Sequence, residues 1–181
     1  MSLKKFVWLF SLLTIILLPT ISFAAAPRVA VLPFDNKSAR QNTPAVESVL
    51  EDARANIEID IVQTGRFDSL SRTDIQRLLD EIKFDQSALV DPSTAARYGK
   101  MVGAQYLVLG TVTGLTNNGR EVVAHLSLRM IEVETARIYL AGRGDGISKK
   151  GDANEALSKA AEDALNGKRG MLTMMRGGTR R

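Results

Sequence analysis

The run from Gly65 to Gly110 most constrains what this chain can fold into. It reads GRFDSLSRTDIQRLLDEIKF, then a loop DQSALV, then DPSTAARYGKMVGAQYLVLG. Arg66 to Leu70 has the composition of a brief strand. Ser71 and Asp74 have the spacing of a capping box, a hydroxyl and a carboxylate placed to satisfy free backbone N–H groups. The helix they start carries Ile75, Leu78, Leu79 and Ile82 on one face. Asp91 and Pro92 start another, with proline at the first helical position, where its missing N–H is no loss. Ala95, Ala96, Tyr98, Met101 and Val102 give that helix packing surface, and Gly103 ends it. Gln105 to Val112, QYLVLGTV, is an almost unbroken apolar run of strand length, the signature of a central strand covered on both faces.

The flanks supply the rest of an α/β domain. Arg28 to Phe34, RVAVLPF, reads as a buried strand, followed by a polar loop from Asp35 to Pro44. From Ala45 to Thr64 the apolar residues Val46, Val49, Leu50, Ala53, Ile57 and Ile61 recur at helical spacing. Glu47, Glu51, Asp52, Arg54 and Glu58 take the other face, and Gly65 closes the helix. After the central strand, LTNNGRE carries an Asn-Gly pair that favours a tight hairpin turn with positive φ. Val122 to Val133 alternates, with Leu126, Leu128 and Met130 facing one way and His125, Ser127 and Arg129 the other. Beyond Met130 the apolar residues are Ile131 and Val133, which suggests a bulge or twist. A turn at Glu134-Thr135-Ala136 leads into Arg137 to Ala141, so the second half is an antiparallel meander. Asp152 caps a last helix, Ala153 to Leu165, whose Ala156, Leu157, Ala160, Ala161, Ala164 and Leu165 form a small-residue face able to lie close to a sheet.

The expected fold is a two- or three-layer α/β domain, a mixed sheet with helices packed on it in the order βαβααβββα. The strand from Tyr106 to Val112 is its centre and the C-terminal hairpin its edge. Residues 25–166 form the domain, and 167–181, GKRGMLTMMRGGTRR, read as a flexible basic tail. Met171, Leu172, Met174 and Met175 in that tail could dock on a partner or on anionic lipid.

Residues 1–24 read as a signal peptide. Lys4 and Lys5 precede an apolar run, Phe6 to Leu18, that at 13 residues is short of the roughly 20 a spanning helix needs. Cleavage after Ala24 leaves 157 of the 181 residues. The expected location is therefore the periplasm, with a possible association with the outer membrane. There is no cysteine, hence no disulfide, thiolate chemistry or thiolate metal site. The formal charge of +4 is misleading. Two cations lie in the signal and five in the tail, so residues 25–165 hold 17 cations against 20 acids. The body is mildly acidic, which argues against nucleic acid as a partner.

No set of residues names a reaction. Ser71, Thr73 and Asp74 group hydroxyls with a carboxylate, but a nucleophilic serine needs a base within hydrogen-bond reach, and the single histidine, His125, lies far along the chain. His125 is a polar-face strand residue and has no neighbours in sequence to build a metal site. Asp35-Asn36-Lys37-Ser38 could hold an ion but reads as a solvated connector. Gly142-Arg143-Gly144-Asp145-Gly146 follows a late hairpin strand, and Lys149-Lys150 is followed by Gly151-Asp152, so it lacks the context of a phosphate loop or dinucleotide fingerprint. It reads as a flexible loop, not as an integrin-type motif. The expectation is therefore no catalytic, cofactor-binding or metal residues, no cofactor and no enzyme.

The segments TGRFDSLSRTDIQRLLDE, LVDPSTAARYGKMVGAQYLVLGTV and LSLRMIEVETARIYLAGRG, with RVAVLPFDN at the start, resemble the CsgG family of curli production assembly and transport components, which is related in fold to the N-terminal domain of TolB-type proteins. The likeness covers residues 28–165. Ala136 stands where the family often has glycine, and a different turn is expected there. Full-length secretion channels of this kind are lipoproteins whose subunits each add two long membrane-spanning β-hairpins to a periplasmic domain. Here the acylated cysteine is missing, and neither Leu115 to Glu121 nor Gly142 to Asp152 is long enough for such a hairpin. The resemblance implies the periplasmic core without its pore. It implies protein partners in the envelope, a possible homo-oligomer, no evident small-molecule substrate and at most peripheral membrane contact. Its role would be assembly or export of a cell-surface structure. The alternative is a regulatory module similar to peptidoglycan-synthase activators or TolB-like domains.

Overall fold

The computed structural model describes residues 25–38, 44–82, 89 and 91–177. The expected signal, residues 39–43, most of the DQSALV loop and the last four residues lie outside the described residues. The elements are β1 (Arg28–Val31), β2 (Asp35–Asn36), α1 (Pro44–Gln63), β3 (Asp68–Ser69), α2 (Arg72–Glu81), α3 (Pro92–Met101), β4 (Tyr106–Asn117), β5 (Val122–Glu132), β6 (Arg137–Ser148), α4 (Ala153–Asn166) and α5 (Met171–Gly177). The expected order is present with two additions, β2 and α5. No helix among the described residues is long and apolar enough to cross a membrane.

The sheet runs β3-β1-β4-β5-β6, with β2 also paired to β4. β1 is parallel to β3 and β4, while β4, β5 and β6 form an antiparallel meander. The first strand is shorter than the sequence suggests. It stops at Val31, and Asp35 and Asn36, expected in a loop, pair with Thr111 and Val112. β4 is central and β6 is an edge, while the hairpin's other strand, β5, is interior.

Helices cover both faces, unequally. Val29, Val31, Val108, Val112 and the inward row of β5 (Val122, Ala124, Leu126, Leu128, Met130) pack against α1, α4 and α5. On the other face, Ala30, Leu32, Leu107, Leu109, Ile131 and Val133 pack against α2 and α3. This explains the switch of apolar parity at Met130 and Ile131 without a bulge in β5, whose pairing with β4 runs unbroken there. Both faces are simply covered at that end of the strand. The register shift at this point falls in β6, where Tyr139 is the extra residue between the Met130–Leu140 and Ile131–Ile138 pairs.

The helix starts follow the sequence. Ser71 Oγ accepts from Asp74 N at 3.4 Å, Asp91 Oδ2 from Thr94 N at 3.0 Å, and Asp152 Oδ1 from Asn154 N at 2.8 Å. Bonds from Ser93 and from the Thr94 backbone and hydroxyl hold the Asp91 carboxyl at a pKa of about 2. Met101, expected to pack, is exposed. The Asn-Gly turn is wider than a two-residue hairpin. Asn118–Glu121 form a four-residue loop in which Gly119 alone has positive φ (84°), and Asn118 Oδ1 accepts from Arg120 N and Glu121 N. The β5–β6 connection, Val133–Ala136, is also four residues.

Arg54 does not stay on the polar face of α1. It is 3% exposed, and its Nη1 donates to the Val31 carbonyl at the end of β1 (3.1 Å). Nη2 and Nε bond Glu51, and Nη1 bonds Glu58 at 3.0 Å. Glu51 also pairs with Arg72 of α2, and Glu58 accepts from Ser69 of β3. Burial acts to discharge the guanidinium, but the bonds and charges of Glu51 and then Glu58 outweigh it and raise its pKa. One helix is thereby tied to two strands and a second helix.

The largest correction concerns the glycine run. Gly142–Gly146 is strand, not loop: it is the second half of β6, and Gly142, Gly144 and Gly146 face α4. A Cβ on Gly144 would collide with the backbone of Ala160 and Ala164, and one on Gly146 with that of Ala156 and Ala160. Residues 167–177 also depart from the expected flexible tail. Met171–Gly177 is helical, and Met171 (0%) and Leu172 (3%) are buried in the core beside β6.

Two predictions follow from this packing. Gly144→Val meets backbone, which cannot rotate away, so it should lower stability by at least the ~1–3 kcal/mol typical of overpacking. Ala141→Val, on the exposed face of the same strand, should stay within about 0.5 kcal/mol, both read by urea denaturation. Ala136 sits at φ 55°, the left-handed conformation that favours glycine. Ala136→Gly should therefore raise stability by ~0.5–1 kcal/mol, the relief of strain less the added freedom of the unfolded chain. A lowered urea midpoint would contradict this.

Candidate binding surface

α2 and α3 do not reach the far end of the sheet, so one face of the meander is left open. There the alternation of β5 and β6 puts polar residues outward: His125, Ser127, Arg143 and Asp145. Register makes His125 and Asp145 direct cross-strand neighbours, and Ser127 and Arg143 likewise. His125 Nδ1 lies 2.7 Å from Asp145 Oδ1. A carboxylate only accepts, so Nδ1 carries the proton of this bond. The imidazole lies over Gly114, just past the register shift in β4, where a Cβ would come within 2.8 Å of its Cδ2.

Arg169, from the segment between α4 and α5, closes one side. Its carbonyl accepts from Arg143 N (3.3 Å), and its Nη2 donates to Asp145 Oδ2 (3.2 Å). The bond from His125 is the main cause that holds the Asp145 carboxyl below the usual carboxylate range; Arg169 adds to it, and partial burial opposes it. Asp145 N in turn donates to Asp163 Oδ2 of α4 (3.1 Å). Thr113, His125, Ser127, Arg143, Asp145 and Arg169 surround a groove of about 420 Å³.

The groove is suited to binding. A carboxylate–imidazole pair becomes catalytic when a nucleophile or substrate proton lies within reach of the free nitrogen. The nearby Thr113 hydroxyl donates to the His125 backbone carbonyl instead (3.4 Å). Ser71 serves as a cap, and Asp74 pairs with Arg77 at 2.7 Å. In the Asp35–Ser38 segment, Lys37 pairs with Asp35 and Ser38 bonds the Asn36 side chain. Among the described residues, no group of three or more His, Asp or Glu could hold a metal ion. Sequence reasoning placed His125 on a polar face but missed Asp145, Arg143 and Arg169. The signal was the alternation itself, which extends through the glycine run once that run is read as strand.

Comparison with solved structures gives the same fold at low identity. A lipoprotein, GNA1162, from Neisseria meningitidis is 11% identical with a TM-score of 0.53, over 84% of this chain and 96% of that one. A PelC dodecamer from Paraburkholderia phytofirmans is 14% identical with a TM-score of 0.51, over 81% of this chain and 91% of that one. The LpoB C-terminal domain from Salmonella enterica is 22% identical over 69% of this chain and 85% of that one, but its TM-score of 0.45 is too low to count toward the fold. Among curated proteins no sequence matches the chain. Residues 13–159 match the family described as curli production assembly/transport component CsgG, and the chain belongs to that family.

Proposed function

We propose that the chain is a non-catalytic domain of the bacterial cell envelope, exported to the periplasm, that works as a regulatory module by binding a protein partner. The observation that carries this reading is the pair of four-residue connections in the meander, Asn118–Glu121 and Val133–Ala136. A pore-forming relative of the kind the sequence resembles inserts long hairpins, each needing two membrane-spanning strands of about 9 to 11 residues. The strands here bury one face against α1, α4 and α5, a protein interior and not a lipid contact. What remains is the periplasmic core, similar to the peptidoglycan-synthase activators and TolB-like domains that the sequence resemblance implies. The envelope address is supported by the short apolar run behind Lys4 and Lys5 and by the likeness of fold to a neisserial lipoprotein.

A second reading, a subunit in the assembly or export of a cell-surface structure, is favoured by the family description and by the dodecameric state of PelC. Mass separates the two. Light scattering of residues 25–181 should give a monomer at micromolar concentration. A stable closed ring of many copies would overturn the regulatory reading in favour of assembly, because closed rings arise from head-to-tail contacts between copies.

A further inference from the structure

We infer that the groove on the open face of β4–β6 is a docking site for an acidic, extended segment of a protein partner; the inference rests on the binding-module reading and names the chemistry of the partner. Residues 25–177 carry 20 cations and 20 acids, and the outer side of α1 presents Glu47, Asp52 and Asp60. The groove is locally positive: the Arg143 and Arg169 guanidiniums flank its one carboxylate, Asp145, which is already bonded by Arg169 and by the His125 imidazole. The Arg143 side chain makes no hydrogen bond or ion pair among the described residues, so its five donors are directed at solvent. A carboxylate is one of the small anions, with phosphate, that a planar guanidinium matches in bidentate fashion.

The site is also held in shape before any partner arrives. Asp145 orients both the imidazole and the Arg169 guanidinium, Asp163 fixes the Asp145 backbone, and Gly114 leaves room for the ring. Groups already in place lose little freedom on binding, which favours affinity. The Ser127 hydroxyl also lines the groove and can donate to a second acid, and the Thr113 oxygen can accept from a backbone N–H. A ridged sheet face along two strands fits an extended chain, in which alternate side chains point to one side.

The test uses a fluorescein-labelled octaglutamate peptide and residues 25–181 at low ionic strength, read by anisotropy. Saturable binding is expected, weakened by roughly tenfold or more in Arg143→Glu, a loss of about 1.4 kcal/mol or more. Lys100→Glu makes the same charge change on exposed α3 and should bind like the parent, and all variants should show the parent's thermal melt. No binding, or equal losses in both variants, would overturn the inference. Tighter Arg143-dependent binding of heparin than of the peptide would overturn it in favour of a glycan. Self-association at low salt that Arg143→Glu abolishes would overturn it in favour of a second copy. The outcome is separable from the parent reading. A monomer that ignores the peptide loses the groove but keeps the module, whereas a ring that binds it keeps the groove and loses the module.

Discussion

The close approach of α4 to the glycines of β6 is the contact on which the second half of the molecule depends. Gly142, Gly144 and Gly146 lie under the backbone of Ala156, Ala160 and Ala164, with no space for a Cβ between them. Glycine inside a strand costs roughly 0.5–1 kcal/mol in chain entropy, and here three occur in alternate positions. What offsets that cost is contact. The helix settles against the strand itself, and Leu157 and Leu165 reach the core beneath β5.

The same approach solves the problem of a bare sheet edge. An edge strand offers unpaired N–H and C=O groups to any passing strand. With α4 this near, Asp163 takes the N–H of Asp145, Lys159 Nζ donates to the Ile147 carbonyl at 3.1 Å, and the Arg169 carbonyl takes the N–H of Arg143. Fixing the Arg169 backbone at the edge is what lets its side chain meet Asp145. The groove is thus downstream of the glycine–alanine seam: without close packing there is no edge cover, and without edge cover Arg169 is not in place.

What was legible in the sequence was local. Caps at Ser71, Asp91 and Asp152, the stops at Gly65 and Gly103, and the unbroken apolar run of β4 are set by residues a few positions apart. Their physics is complete within a short window. The misses are all tertiary. A glycine run signals a loop unless a helix elsewhere needs the space, and nothing near residue 144 says that Ala160 will be there. Arg54 looks like a surface cation because its acids, Glu51 and Glu58, lie on the same helix. Only the Val31 carbonyl, brought up by the fold, turns that cluster inward. Met171 and Leu172 follow a glycine-rich cationic stretch whose composition hides the two side chains that dock.

Coverage then decides where function can sit. α2 and α3 have ten residues each, about 15 Å of helix apiece, whereas the 11 residues of β5 at ~3.4 Å each run about 37 Å. The sequence of β5 records where the roof ends. On that face Ile131, with Val133 just past the strand, lies beneath the helices, and the row continues as Arg129, Ser127 and His125 beyond them. A strand whose outer row changes from apolar to basic at that boundary is built for water or for a partner there. Since Asp145 and Gly114 hold the basic groups in fixed positions, more order is invested in that face than solvation alone would require.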